Sequence, residues 1–198
     1  LLAEAIGEHR VEQALSGLAS EASVSLRLNP FKHTDAFPLG GDGECRPVAW
    51  SEHGRLLSGR PVFTLDPLFH AGAYYVQDSS AMYVGELFRN LLSRLERPLD
   101  RPLRVLDLCA APGGKTTDAA ASLRAVCGDS YLLLANEIMR SRAGVLADNV
   151  AIWGDPCVAV SSLDPAAFAA LPEFFDIIIA DVPCSGEGMF RKDEEALS

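Results

Sequence analysis

The chain has 198 residues, 48% of them hydrophobic and 22% charged, a balance that fits a folded globular protein with room for one good core and a smaller module. No run approaches the roughly 18 consecutive apolar residues of a membrane-crossing helix, and the start lacks the basic, apolar and small-residue succession of a signal peptide, so the reading is a cytoplasmic protein with no membrane partner. The net charge of −10 argues against a protein that coats nucleic acid through a general basic surface.

Residues 1–20 read as one amphipathic helix, and Val24, Leu26 and Leu28 then alternate with polar neighbours in an extended stretch from Ser23 to Asn29. Residues 30–70 are rich in Gly, Pro, His and Arg, with a strand expected near Arg60 to Leu65. Residues 1–70 thus form a small α+β module. From a cap at Asp78 or Ser79, apolar Val84, Leu87, Phe88, Leu91, Leu92 and Leu95 recur at helical spacing until Pro98. A regular alternation follows. Leu103–Leu108, Tyr131–Ala135, Cys157–Val160 and Phe175–Ala180 read as short apolar strands, with helices expected at about 114–125 and 138–152 and a shorter connection around 165–171. Continuous apolar strands alternating with helices predict an α/β domain over 71–198 built on a parallel, doubly wound sheet. The chain begins at Leu1 rather than Met and stops at Ser198 inside a polar, helix-like run. Both ends read as truncations, which would leave the sheet incomplete at its C-terminal side.

Charge is uneven along the chain. Residues 1–104 hold 11 basic residues against 13 acidic, whereas 105–198 hold 6 against 14, so any nucleic-acid contact should lean on the N-terminal part or on sequence beyond these residues. Five cysteines with no CxxC pair argue against both a disulfide framework and a metal site. Each reads as a small buried residue unless its neighbours say otherwise, and only Cys184 has such neighbours.

In an open parallel sheet the ligand sits beyond the carboxyl ends of the strands, where Asp107, Glu137, Asp164 and Asp181 fall, one per expected strand. Any one of them reads as a cap or turn residue, and Asp164 before Pro165 is a good capping arrangement. All four together point to a carboxylate-ringed crevice. The loop Cys109-Ala110-Ala111-Pro112-Gly113-Gly114-Lys115-Thr116 nearly matches a phosphate-binding GxxxxGK[ST] loop, with Cys109 at the first glycine position. A nucleotide hydrolase is therefore the natural rival. Against it, Cys does not adopt the first glycine's backbone freely, and carboxylates repel a triphosphate while favouring ribose hydroxyls, an amino group and a sulfonium. Glu137 is placed to accept from a ribose diol. The second motif, Asp181-Val182-Pro183-Cys184-Ser185-Gly186-Glu187-Gly188, offers Cys184 as a nucleophile or proton-transfer group, or as an inert cysteine in a tight turn. None of His9, His33, His53 and His70 stands where it would activate that thiol.

Asp107–Thr116 (DLCAAPGGKT), Asp181–Lys192 (DVPCSGEGMFRK) and Phe63–Met82 (FTLDPLFHAGAYYVQDSSAM) closely resemble the Nop/Sun family of RNA (cytosine-5)-methyltransferases, in particular its bacterial ribosomal RNA branch. The likeness runs from about Ser23 to the end. It implies a Rossmann-like methyltransferase sheet, S-adenosyl-L-methionine as cofactor, no metal, and ribosomal RNA as substrate, methylated at C5 of cytosine through a covalent adduct of cysteine with C6. By the same resemblance Cys109, Ala110, Ala111, Pro112, Gly113, Gly114 and Lys115 hold the methionine part, Glu137 the ribose and Asp164 the adenine end. Lys115 and Asp181 lie between cofactor and base, and Cys184 assists release of the methylated base. The attacking cysteine is expected beyond Ser198. Residues 1–70, with Arg27 and Asn29, are similar to the family's RNA-positioning region, and Ile152 stands where relatives carry a basic residue. A non-catalytic RNA-binding or assembly protein that kept the cofactor fold is the third reading.

Overall fold

The computed structural model describes residues 2–19, 23–32, 45–95 and 100–182, in two compact units, one of residues 1–23 with 183–198 and one of residues 24–182. In the first unit the single helix expected over 1–20 is two: α1 (Leu2–Ile6) and α2 (Glu8–Ala19). Gly7 separates them at φ +82°, a left-handed backbone that interrupts the helical hydrogen bonding.

The second unit opens with β1 (Val24–Leu28), β2 (Cys45–Val48), β3 (Ser51–Leu57), the short α3 (Pro67–His70) and β4 (Tyr74–Val76), and its four strands pair antiparallel in the order β2-β3-β1-β4. The expected strand near Arg60 to Leu65 is absent; Phe63–Leu65 forms a single 3-10 turn, and the hairpin lies upstream at β2 and β3. Those strands escape pattern recognition because Pro47 interrupts one and polar Glu52, His53, Gly54 and Arg55 fill the other. Gly54 is needed there, since a Cβ would come within 2.8 Å of both Met82 and Val48. In β1 the alternation does not separate a wet from a dry face, because Ser25, Leu26 and Arg27 are all buried.

Next comes α4 (Tyr83–Arg94), starting later than the cap expected at Asp78 or Ser79. The Asp78 carboxylate instead accepts from the Ser80 amide and hydroxyl, and residues 79–82 turn before the helix begins. Then β5 (Leu103–Asp107), α5 (Gly114–Cys127), β6 (Tyr131–Asn136), α6 (Arg140–Trp153), β7 (Val158–Ser161) and β8 (Ile177–Ile179) alternate, with a 3-10 turn at Pro165–Ala170. The strands form a parallel sheet in the order β7-β6-β5-β8. From central β5 the chain moves outward through β6 to β7 and then returns to β8 on the other side of β5, which sets a topological switch point between β5 and β8.

On one face of this sheet Leu103, Val105, Leu133 and Ile177 pack against Phe88 and Leu92 of α4 and Leu123 of α5. Leu146 and Val150 of α6 cover Ala135 on that face. At the joint with the antiparallel sheet the contacts are polar. Asn29 donates to the carbonyls of Gly72 and Trp153, and Lys32 to those of Ala71 and Ile152, so the last carbonyls of α6 are satisfied by side chains from just after β1. Among the described residues no helix is long and apolar enough to cross a membrane.

Candidate functional site

At the end of β5 the chain leaves the sheet through residues 108–113 and turns into α5. The loop is pinned at both sides: the Leu108 amide donates to Ile179 O of β8 and the Ala110 amide to Asn136 O of β6. Its carbonyls are taken by side chains from the flanks, Ala111 O by Arg142 at 2.9 Å and Pro112 O by Asn149 at 2.8 Å and Tyr75 at 3.3 Å. Gly113 precedes α5 at φ +112°, where a side chain is strained and a Cβ would press to 3.2 Å from Leu146. Among the described residues no side chain caps α5, so none of them supplies a cap to its first amides.

A cavity of about 230 Å³ opens beside this loop, lined by Asp107, Cys109, Ala110, Ala111, Pro112, Gly114, Lys115 and Asp181. Asp107 is 1% exposed. One of its oxygens accepts from the Thr116 hydroxyl at 2.7 Å and the other, Oδ1, is buried without a hydrogen-bond partner among the described residues. Burial pushes its pKa up to about 6, opposed by the Thr116 hydrogen bond and the Lys115 charge. Lys115 Nζ donates to Asp181 Oδ2 at 2.6 Å, tying the start of α5 to the loop after β8. Cys109 is half-buried, and burial followed by the charges of Glu137, Asp107 and Asp181 raises its thiol pKa. It remains a thiol at neutral pH.

Glu137 and Asp164 stand at the ends of β6 and β7 and do not line this cavity. Glu137 is buried, accepting from the Met139 amide and lying 3.4 Å from Arg142. Asp164 caps the 165–170 turn through the Ala166 amide. Cys184 lies outside the described residues, as do all positions after Val182.

Two sets of residues went unnoticed in the sequence. Asn136, wholly buried, donates to Leu108 O and Leu163 O and accepts from the Ser161 hydroxyl and Leu163 amide, clamping three strand-end loops together. Tyr75, Val76, Gln77, Asp78 and Ala81 form the other wall of the cavity. They belong to the FTLDPLFHAGAYYVQDSSAM stretch, whose likeness to relatives was the available signal. Arg27 and Asn29, which the resemblance ties to RNA positioning, are 1% and 5% exposed and spend their polar atoms inside the protein. They cannot serve as surface contacts for RNA.

This sheet order, with its glycine-bearing loop and cavity at the switch point, defines a Rossmann-like fold of the methyltransferase type. A methyltransferase homolog protein from Pyrococcus horikoshii superimposes over 96% of the chain and 59% of its own with a TM-score of 0.72 at 22% identity. The chain belongs to the 16S rRNA methyltransferase RsmB/F family, whose model matches residues 97–197, and residues 2–79 match the N-terminal domain of 16S rRNA methyltransferase RsmF. It is 38% identical over 187 residues to ribosomal RNA small subunit methyltransferase F of Pectobacterium atrosepticum and 41% identical over 185 residues to that of Klebsiella pneumoniae. These alignments cover 88% and 87% of the chain, and the chain spans 36% of the length of each relative.

Proposed function

We propose that this protein transfers a methyl group from S-adenosyl-L-methionine to C5 of a cytosine in RNA, and that the RNA is ribosomal, which makes its setting cytoplasmic. The observation that carries this reading is the Lys115–Asp181 pair at 2.6 Å beside buried Asp107, in a cavity at the carboxyl ends of β5 and β8. That donor set fits the cofactor. Carboxylates suit an ammonium or sulfonium, the open turn at Gly113 and Gly114 lets a ligand approach backbone amides, and Glu137 at the end of β6 stands where a ribose diol is held in such folds. When bound, S-adenosyl-L-methionine supplies an electrophilic methyl group.

The chain's own residues divide the remaining work. Residues 109–115 hold the methionine end, Glu137 the ribose and Asp164 the adenine side. Lys115 and Asp181 orient the base, with Asp181 left half-exposed to meet it. Carbon 5 of cytosine becomes nucleophilic only after a thiolate adds to C6, and the C5 proton must leave before the thiol departs. Cys109, with its raised pKa among carboxylates, is a poor candidate for that thiolate. Cys184 is assigned the release step. Phosphate chemistry is disfavoured because the lysine of the GxxxxGK-like loop is already paired to a carboxylate and Asp107 adds a second acid to the cavity.

The test is methyl transfer by the full-length protein to 16S RNA, with the product base identified by mass spectrometry. Expected is 5-methylcytosine, and with Cys184→Ala a covalent RNA adduct that survives denaturing gels. Phosphate release from ATP with no methyl transfer would overturn the proposal.

A further inference from the structure

Gln77 is 7% exposed and lines the cavity, and its backbone is locked to β1 by two hydrogen bonds with Ser25. Its amide has an oxygen that accepts and an NH2 that donates, and which one faces the cavity determines what the cavity can bind. Arg27 decides the matter. A guanidinium has only donors, so the group that receives Arg27 Nε at 2.9 Å must be Oε1, which turns Nε2 the other way. Nε2 sits over the start of α5, where a Cβ on Gly114 would lie 3.3 Å from it, and it meets no acceptor among the described residues. Nε2 is not among the buried atoms left without a partner, so this donor opens to the cavity, where water meets it until a ligand acceptor takes its place.

Arg27 is itself held from several sides, although its Nη1 is buried without a hydrogen-bond partner among the described residues. Its Nη2 donates to Gly114 O at 3.1 Å and Thr117 Oγ1 at 2.6 Å, and its guanidinium lies 4.7 Å from the centre of the Trp153 ring. Its Nε stays 3.7 Å from Asp118 Oδ2, an oxygen left without a hydrogen bond. A nearby carboxylate is thus passed over in favour of the amide and the first turn of α5.

We propose that Gln77 is a ligand-binding residue that presents a fixed N–H donor to an oxygen acceptor in the cavity, and that Arg27 is the positioning residue that sets its polarity. The inference rests on the methyltransferase reading. The acceptor is the carboxylate of the cofactor's amino-acid end or the C2 carbonyl of the target pyrimidine. The two sources differ in when they arrive.

Gln77→Glu separates the possibilities without threatening the fold, because the new carboxylate still accepts from Arg27 while the donor facing the cavity becomes an acceptor. In the full-length protein, S-adenosyl-L-methionine affinity is measured by calorimetry and kcat/KM with 16S RNA by methyl transfer, each beside the wild type. A tenfold or greater loss of cofactor affinity identifies the carboxylate. Unchanged cofactor affinity with a tenfold or greater loss in kcat/KM identifies the base carbonyl. Both quantities within twofold of wild type overturn the role of Gln77. Arg27→Lys, which keeps the charge but not the planar fork, should lower the same quantity well below its own melting temperature. A lower melting temperature with unchanged binding and kcat/KM would reduce Arg27 to a structural residue and overturn its part. Failure of the wild type to bind the cofactor would count against the methyltransferase reading, a result separable from wild-type binding that Gln77→Glu leaves intact.

Discussion

The two sheets of residues 24–182 are held by different physics. In the parallel sheet β5 and β6 bury Leu103, Val105 and Leu133 against helices, and stability there scales with apolar area removed from water. In the antiparallel sheet β1 and the residue after it bury Ser25, Arg27 and Asn29; Ser25 donates to Gln77 O beside β4, while Arg27 and Asn29 reach acceptors on α5 and at the end of α6. The first sheet is a platform that tolerates apolar exchange of similar volume. The second is a fitted connector, in which Ser25 and Arg27 hydrogen-bond Gln77 at the wall of the cavity.

The contrast can be broken at the joint. Gly72→Ala would place a Cβ 2.0 Å from Ile152 O at a backbone φ of +69°. We expect a loss of about 3–4 kcal/mol from overpacking and a disfavoured backbone, seen as a lower urea midpoint. A loss near zero would mean that the joint yields easily and that the connector is not fitted.

Asp107 is the polar exception on the platform. Its folded pKa of about 6 exceeds the usual carboxylate value, so between about pH 4 and 6 the folded state holds a proton that the unfolded chain releases. Stability therefore falls as pH rises through that window. Asp107→Asn keeps an acceptor for Thr116, removes the charge, and should be more stable than wild type by about 3 kcal/mol at neutral pH, with the difference vanishing below pH 4. Parallel stability curves from pH 4 to 7 would show that Asp107 is not the buried acid described.

A smaller effect sharpens the same contrast. Asn29→Ala leaves the Gly72 and Trp153 carbonyls without their donor and should cost about 2 kcal/mol in thermal or urea unfolding. A conservative Leu133→Met exchange in the platform should cost less than about 1.5 kcal/mol. Equal costs would erase the distinction between the two sheets.

The same distinction explains what could be read in the sequence. Apolar runs betray their burial, so the four parallel strands and the helices between them were placed to within one or two residues at most ends. The carboxylates of Asp107 and Asp181 follow from strand-end position, and the 109–115 loop from its near match to a phosphate-binding loop and its family resemblance. Burial of Arg27 was not legible, because a charged residue in an alternating strand reads as solvent-facing until its partners Gln77, Gly114 and Thr117, 50 to 90 positions away, are known. The hairpin of β2 and β3 was hidden by Pro47 and Gly54 for a similar reason, since Gly54 answers to the distant Met82. The Cys184 motif lies outside the described residues, and its role stands on resemblance.

The most direct test of the cavity's identity is a calorimetric titration with S-adenosyl-L-methionine and with ATP at pH 7.5 and pH 5. The carboxylate-lined cavity predicts one-to-one binding of S-adenosyl-L-methionine that weakens at pH 5 as Asp107 gains a proton, with ATP neither binding nor competing. Tight ATP binding with no S-adenosyl-L-methionine binding at either pH would contradict the account.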